Sequence, residues 1–143
     1  MFSKTGNRLI YMYDAEEMWI EPWGRDSLRV RATKQPEMHN EEWALLPCAA
    51  CEAVIYTDRD RASITNGAIR AELTKSGLLS FYNSRGEIFL KEYTRTLSDF
   101  MNEKDKAGVF ASPLEVGARE WKPDIGGDYR LTVRFEANKD EKQ

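Results

Sequence analysis

Apolar and polar residues alternate with a period of two through most of this chain, the spacing of strands that bury one face and solvate the other. The pattern is tightest from Ala62 to Glu92, where it predicts a four-strand meander. Asn66-Gly67 suits a two-residue type I′ turn, because both central positions need positive φ, which Gly takes freely and Asn tolerates. That turn predicts Ile64 opposite Ile69 and Ala62 opposite Ala71 on one face, with Arg70 and Glu72 on the other. A four-residue loop, Asn83-Ser84-Arg85-Gly86, predicts Phe81 against Ile88 and Leu79 against Leu90. Turn chemistry and hydrophobic period agree at both places, which points to an antiparallel sheet with one buried face.

The same reading extends outward from the meander. Leu9, Tyr11 and Tyr13 alternate with Arg8, Ile10 and Met12, and the apolar run Met18 to Ile20 precedes a Glu21-Pro22-Trp23-Gly24 turn, giving the first two strands. Trp19 is expected to pack inward. Leu28, Val30 and Ala32 alternate with Arg29, Arg31 and Thr33, a polar loop from Lys34 to Glu42 follows, and Ala53 to Thr57 is another β-rich run. The clearest strand is the last, with Tyr129, Leu131, Val133, Phe135 and Ala137 on one face. The one place for a helix is Leu97 to Lys106, where Ser98-Asp99 could cap it, and a long loop fits the same charged stretch equally well. Roughly eight to ten short strands with frequent turns predict an all-β fold, an antiparallel β-sandwich with at most one short helix.

At 143 residues the chain is expected to be a single domain, spanning 1–143, large enough to bury a core without staples. Charged residues make up 31% and the net charge is −3, with both signs interspersed, so neither a nucleic-acid nor a membrane partner is expected. No apolar run reaches the roughly 18–20 residues of a membrane span and no signal-peptide core follows Met1, so the expected location is cytoplasmic. Cys48 and Cys51 form a C-A-A-C pair. A structural zinc site needs four ligands and His39 lies outside finger spacing, while a thioredoxin-like pair needs a βαβ unit. Neither a metal nor a cofactor is expected, and the two cysteines read as small residues after Pro47.

The catalytic inventory is thin. Nucleophilic catalysis needs a base, and His39 is the one imidazole, in a polar loop. Glu16-Glu17, Glu41-Glu42 and Asp58-Arg59-Asp60 read as solvated turn residues with basic neighbours. Gly126-Gly127-Asp128 reads as a turn before a strand, since a phosphate-cradling loop would open a helix. No catalytic residue is assigned. Aromatic residues offer more, because sugar rings stack their C–H faces on indoles and phenols, and the chain has four Trp and six Tyr. Trp23, Trp43 and Trp121 lie in turns or loops, and Trp23 and Trp121 are the candidates for contact with carbohydrate or with another domain.

Four segments in order carry a family resemblance. They are Trp19 to Arg31 (W-I-E-P-W-G-R-D-S-L-R-V-R), Ile64 to Ile69, Leu79 to Asn83 with Gly86, and Arg119 to Pro123 with Gly126 to Glu136. Together they resemble the amino-terminal part of bacterial glycoside hydrolase family 31 enzymes, the α-glucosidases and α-xylosidases. The resemblance implies a galactose-mutarotase-like β-sandwich preceding a catalytic (β/α)8 barrel. It also implies that bonds are cleaved elsewhere: the family's nucleophile is an Asp in a Trp-x-Asp-Met-Asn-Glu type motif on a barrel strand, its acid/base a second Asp. Neither segment exists here. Asp99-Phe100-Met101-Asn102-Glu103 lacks the Trp, interposes Phe, and is taken as coincidence.

Retaining glycoside hydrolysis needs two carboxyl groups about 5–5.5 Å apart across the sugar, so the chain alone is expected to be inactive. Its expected role is that of a non-catalytic amino-terminal domain that buttresses the barrel and contributes to the rim of the substrate pocket. The expected partners are that barrel and an α-linked oligosaccharide, with self-association through the exposed interdomain face. The alternative is a free-standing carbohydrate-binding module. An aldose-epimerase-like enzyme is disfavoured, because that chemistry resembles proton transfer between a Glu and several histidines.

Overall fold

The computed structural model describes residues 1–41, 44–48, 51–93, 95–96, 115–116 and 119–137. Two antiparallel sheets dominate them. The first runs in order β1 (Phe2–Thr5), β2 (Arg8–Tyr13), β3 (Glu16–Pro22), β4 (Leu28–Thr33). The second contains β5 (Val54–Thr57), β6 (Arg61–Asn66), β7 (Ile69–Thr74), β8 (Leu79–Tyr82), β9 (Ile88–Glu92) and, last in sequence, β14 (Phe135–Ala137), with spatial order β14-β9-β8-β7-β6-β5. Two small pairs complete it: β10 (Arg95–Thr96) with β11 (Glu115–Val116), and the hairpin of β12 (Arg119–Pro123) with β13 (Tyr129–Val133). The fold is an all-β sandwich, as the alternation predicts, and the candidate helix at Leu97 to Lys106 falls outside the described residues.

The core lies between the two large sheets. Leu9, Tyr11, Met18 and Ile20 from the first meet Ala62, Ile64, Ala71, Leu73 and Leu79 from the second, all nearly solvent-free. Each is the inward member of its strand's pleat; binary patterning alone places all but Met18 and Ile20, which lie in an apolar run with Trp19 between them. β1 was not foreseen from the sequence; Phe2 packs its ring 5.6 Å from that of Tyr11 and extends the apolar face at the sheet edge. Trp19 is a correction. Met18 and Ile20 point inward, so the pleat turns Trp19 to the outer face of the sheet.

The meander forms, with its register shifted by two residues. Ile64 pairs with Ala71, Ala62 with Leu73, and Asn66 with Ile69, where the sequence predicts Ile64 with Ile69 and Ala62 with Ala71. The turn is Gly67-Ala68, and of that pair only Gly67 has positive φ, as a turn with Gly first requires. Because the shift is even, the buried set is unchanged. The reason for it is tertiary. Asn66 leaves the turn for the strand end, where it is 5% exposed and its Nδ2 donates to the carbonyls of Gly24 at 2.8 Å and Ser27 at 2.7 Å. Asp26, itself at positive φ, accepts from the Ala68 amide at 2.7 Å. Two side chains thus staple the β3–β4 turn to the β6–β7 turn, tying one sheet to the other.

The second hairpin also departs from the prediction. Phe81 pairs with Leu90 and Tyr82 with Ile88, with a bulge between them, where Phe81 was expected against Ile88 and Leu79 against Leu90. Asn83 Oδ1 accepts from the amides of Arg85 and Glu87, each at 3.0 Å, and closes the loop around itself. The long final strand is broken. β13 pairs with β12 and β14 with β9, and between them the Arg134 carbonyl accepts from the Tyr93 amide at 2.8 Å. Leu131 and Val133 are half-buried while Tyr129 and Phe135 are exposed, so the predicted single apolar face divides between two neighbours.

The staple gives a test of the corrected register. Asn66→Ala removes the donor to two backbone carbonyls and is expected to lower unfolding free energy by about 1–3 kcal/mol in urea titrations. An Asn in an exposed turn, the arrangement read from the sequence, would leave the midpoint nearly unmoved.

Candidate functional site

Three strands carry a charged residue where alternation points inward. Glu16 shares the inward phase of Met18 and Ile20 on β3, Glu92 that of Leu90 on β9, and Arg119 that of Trp121 on β12. Burying one of these alone would be prohibitive, and the structure brings all three together. Arg119 donates through Nε to Glu16 Oε1 at 2.8 Å and through Nη1 to both oxygens of Glu92 at 2.6 and 2.7 Å. Its Nη2 donates to the Gly77 carbonyl at 2.8 Å. Trp121 donates its indole N–H to Glu16 Oε2 at 2.5 Å, and the Leu79 amide donates to Glu92 Oε2 at 2.9 Å. Glu92 is 1% exposed.

Gly77 lets this cluster close. Its φ is +90°, and a Cβ there would stand 2.8 Å from the Tyr11 hydroxyl and 3.0 Å from Arg119 Nη2. Tyr11 donates to the Lys75 carbonyl at 3.3 Å, and burial raises its pKa above the ordinary phenol value. Burial likewise raises the Glu92 pKa above the ordinary glutamate value, against the charge and hydrogen bonds of Arg119. The chemistry of the group is therefore cohesive. Both carboxylates are committed to one guanidinium, where a glycosidase's acid pair would face a sugar between them.

The outer face of the first sheet carries a second cluster. Around Trp19, Arg8 from β2 lies with its guanidinium carbon 3.6 Å from the ring centroid and Arg31 from β4 at 5.1 Å. Glu21 ties the two cations together, accepting from Arg8 Nη2 at 3.1 Å and from Arg31 Nη2 at 2.5 Å. Burial would raise the Glu21 pKa, and the hydrogen bonds and charges of Arg31 and Arg8 outweigh it, so the net shift is downward. Trp19 donates its indole N–H to Glu17 Oε1 at 2.6 Å. Trp23 follows at the end of β3, with the Arg29 guanidinium carbon 4.5 Å from its ring centroid. Beside it runs an open groove of about 430 Å³, bordered by the β1–β2 turn, Glu21, Trp23, Cys48 and Cys51.

The candidate residues read from the sequence end up apart. Trp23 is half-buried beside the groove, whereas Trp121 is half-buried in the Arg119 cluster with its ring edge-on to Tyr129, centroids 6.3 Å apart. His39 is exposed in its loop. Cys48 and Cys51 are free thiols that border the same groove. Glu16, expected to be a solvated turn residue, is a correction: it is 8% exposed, in a strand, and ion-paired. Asp58 does sit in a turn, accepting from the amides of Asp60 and Arg61 at 2.7 and 2.8 Å. Glu42 and Trp43 lie outside the described residues. Among the described residues no cluster of three metal-ligating side chains occurs and no helix is long and apolar enough to cross a membrane.

Fold and clusters together define a β-sandwich module whose buried charges are spent on joining its parts. Comparison with known proteins places it. No family model matches the chain. It is 42% identical over 139 residues to an uncharacterized family 31 glucosidase of Pseudescherichia vulneris, a match that covers 95% of this chain and 26% of that protein. It also matches the crystal structure of a glycoside hydrolase family 31 α-xylosidase from a soil metagenome complexed with xylose, with a TM-score of 0.77 and 42% identity over 98% of this chain and 21% of that one. The chain is thus a homologue of family 31 glycoside hydrolases, and it spans about a quarter of the curated relative and a fifth of the solved one.

Two measurements test the electrostatics. Arg119→Met leaves Glu16 and Glu92 without their cation and is expected to cost about 3–5 kcal/mol of unfolding free energy. The two shifted glutamates should bend the pH profile in opposite senses. Glu92, raised, contributes stability present below the ordinary glutamate range and lost as pH rises through its folded value. Glu21, lowered, contributes stability present above that range and lost as pH falls through its folded value. Urea midpoints across the acid range should show the Glu21 loss disappear in Glu21→Gln.

Proposed function

We propose that this chain is the amino-terminal, non-catalytic domain of an α-glycosidase of the α-glucosidase or α-xylosidase type. It is a sandwich of the galactose-mutarotase kind that buttresses a catalytic (β/α)8 barrel and contributes to the rim of its substrate pocket. The observation that carries this reading is the asymmetry of coverage: relatives align with nearly all of this chain, and the chain accounts for only 26% and 21% of their lengths. The Arg119 cluster supports it, because a carboxylate held by two charge-assisted bonds from one guanidinium is a poor nucleophile and a poor proton donor.

The surface is consistent with such a role. The β12–β13 hairpin pairs with neither large sheet, and a two-stranded hairpin is at best marginal alone. At its tip Ile125 is 95% exposed and Tyr129 is also open to solvent. Two exposed apolar side chains on a ribbon anchored through Arg119 suit a surface that another domain covers. Interdomain interfaces of this type bury about 600–1,500 Å².

Purified chain should not turn over aryl α-glucosides or α-xylosides above a mock preparation; activity that persists after contaminating glycosidase is removed would sink the proposal. In sedimentation velocity the bare interdomain face should produce concentration-dependent association. An ideal monomer at high concentration would count against that face.

A further inference from the structure

The groove beside Trp23 has a construction that the scaffold role does not require. Its bed is pinned by Asn7, whose Nδ2 donates to the Cys51 carbonyl at 2.8 Å while its Oδ1 accepts from the Ala53 amide at 3.4 Å. That bridge fixes the segment after Cys51 against the β1–β2 turn, so the groove exists before any ligand arrives. One border is the Trp23 indole; the Arg29 guanidinium lies over one face of its ring, 4.5 Å from the centroid, so a stacked ligand takes the other face. Another is Glu21. Its carboxylate has about four lone-pair positions, and Arg8 and Arg31 occupy one on each oxygen, which leaves acceptor capacity. Arg8 also borders the groove; its Nη2 is held by Glu21 and its Nε is shielded from solvent, so Nη1 is the nitrogen left to meet a ligand. Thr5, an exposed residue, also lines it.

An aromatic wall, a carboxylate with spare lone pairs and a donor-rich guanidinium beside it select a ligand with an apolar face and a rim of hydroxyls. A pyranose ring has both. Its axial C–H bonds stack on a π face, its vicinal hydroxyls donate to a carboxylate and accept from a guanidinium, and its neutrality avoids the like-charge cost that an anionic ligand would meet at Glu21. The volume, about 430 Å³, holds one or two such rings. We propose that this groove is a non-catalytic pyranose-binding subsite, with Trp23 as stacking platform and Glu21 and Arg8 as the hydroxyl-reading pair. It goes beyond the scaffold role and stands whether or not that role does, since it concerns only the chain described here.

The test uses the chain itself, ¹⁵N-labelled, titrated with xylose, glucose and maltose. Of the four tryptophan indole N–H signals, that of Trp23 should shift saturably at millimolar sugar, together with the backbone amides of Gly6 and Asn7. Sorbitol, which carries the hydroxyls without the ring, should bind at least several-fold more weakly. Trp23→Ala should weaken binding about tenfold or more, and Trp23→Phe, which keeps a ring at the position, should fall between. A bulky maleimide on the exposed Cys48 thiol, at the rim, should block the shifts without altering spectra of the core. No saturable shift, shifts mapping away from the groove, equal binding of sorbitol, or undiminished binding in folded Trp23→Ala would each overturn the proposal.

Discussion

One guanidinium holds this molecule together. Arg119 touches a strand of the first sheet through Glu16, a strand of the second through Glu92, and the turn between two further strands through the Gly77 carbonyl. A buried ion pair taken singly is weak support for stability, because desolvation cancels most of the attraction. Here each carboxylate oxygen has at least one donor: Trp121 takes the second oxygen of Glu16, and the Leu79 amide reinforces Glu92. A donor on every oxygen turns a liability into a device for geometric specificity, since the charges fit only when both sheets and the hairpin are in their final places.

The hydrophobic core and this polar knot divide the labour. Apolar burial between the sheets supplies the non-directional drive to collapse. Direction comes from polar staples placed around the rim of the sandwich, namely Asn66 and Asp26 between the two turns, Asn7 on the segment after Cys51, and Arg119 where the hairpin joins. On the outer face, the Arg8–Trp19–Arg31 stack bridged by Glu21 orders the side chains against one another, with cation–π contacts of order 0.5–2 kcal/mol each at such part-buried sites.

What alternation could say, it said. Inward and outward sets were legible at Leu9 and Tyr11 and through the meander, because a period of two depends only on neighbouring residues. The unbroken apolar run Met18 to Ile20 left the phase open, and Trp19 was expected on the wrong face. Register was not, since Asn66 chose two carbonyls across the sandwich over a place in its own turn, a choice visible only once the β3–β4 turn is in position. Nor was the break at Arg134, where the partners on either side change. The Arg119 cluster did leave a trace in the sequence. Glu16, Glu92 and Arg119 each occupy an inward phase of their strands, and charges of opposite sign in apolar phase are the mark of a buried pair. Trp23 could be nominated from composition, while the groove beside it needed the Asn7 bridge to be seen.

The change of partners at Arg134 has a mechanical consequence. Residues 129–133 run beside β12 and residues 135–137 beside β9, so one short stretch of backbone is clamped at both ends to separate parts of the sandwich. Tension applied along it is borne by two ladders in series, with the carbonyl that Tyr93 holds between them. The stretch behaves as a rivet: a pull arriving from the carboxyl-terminal side meets the β14–β9 ladder first and the β12–β13 ladder behind it.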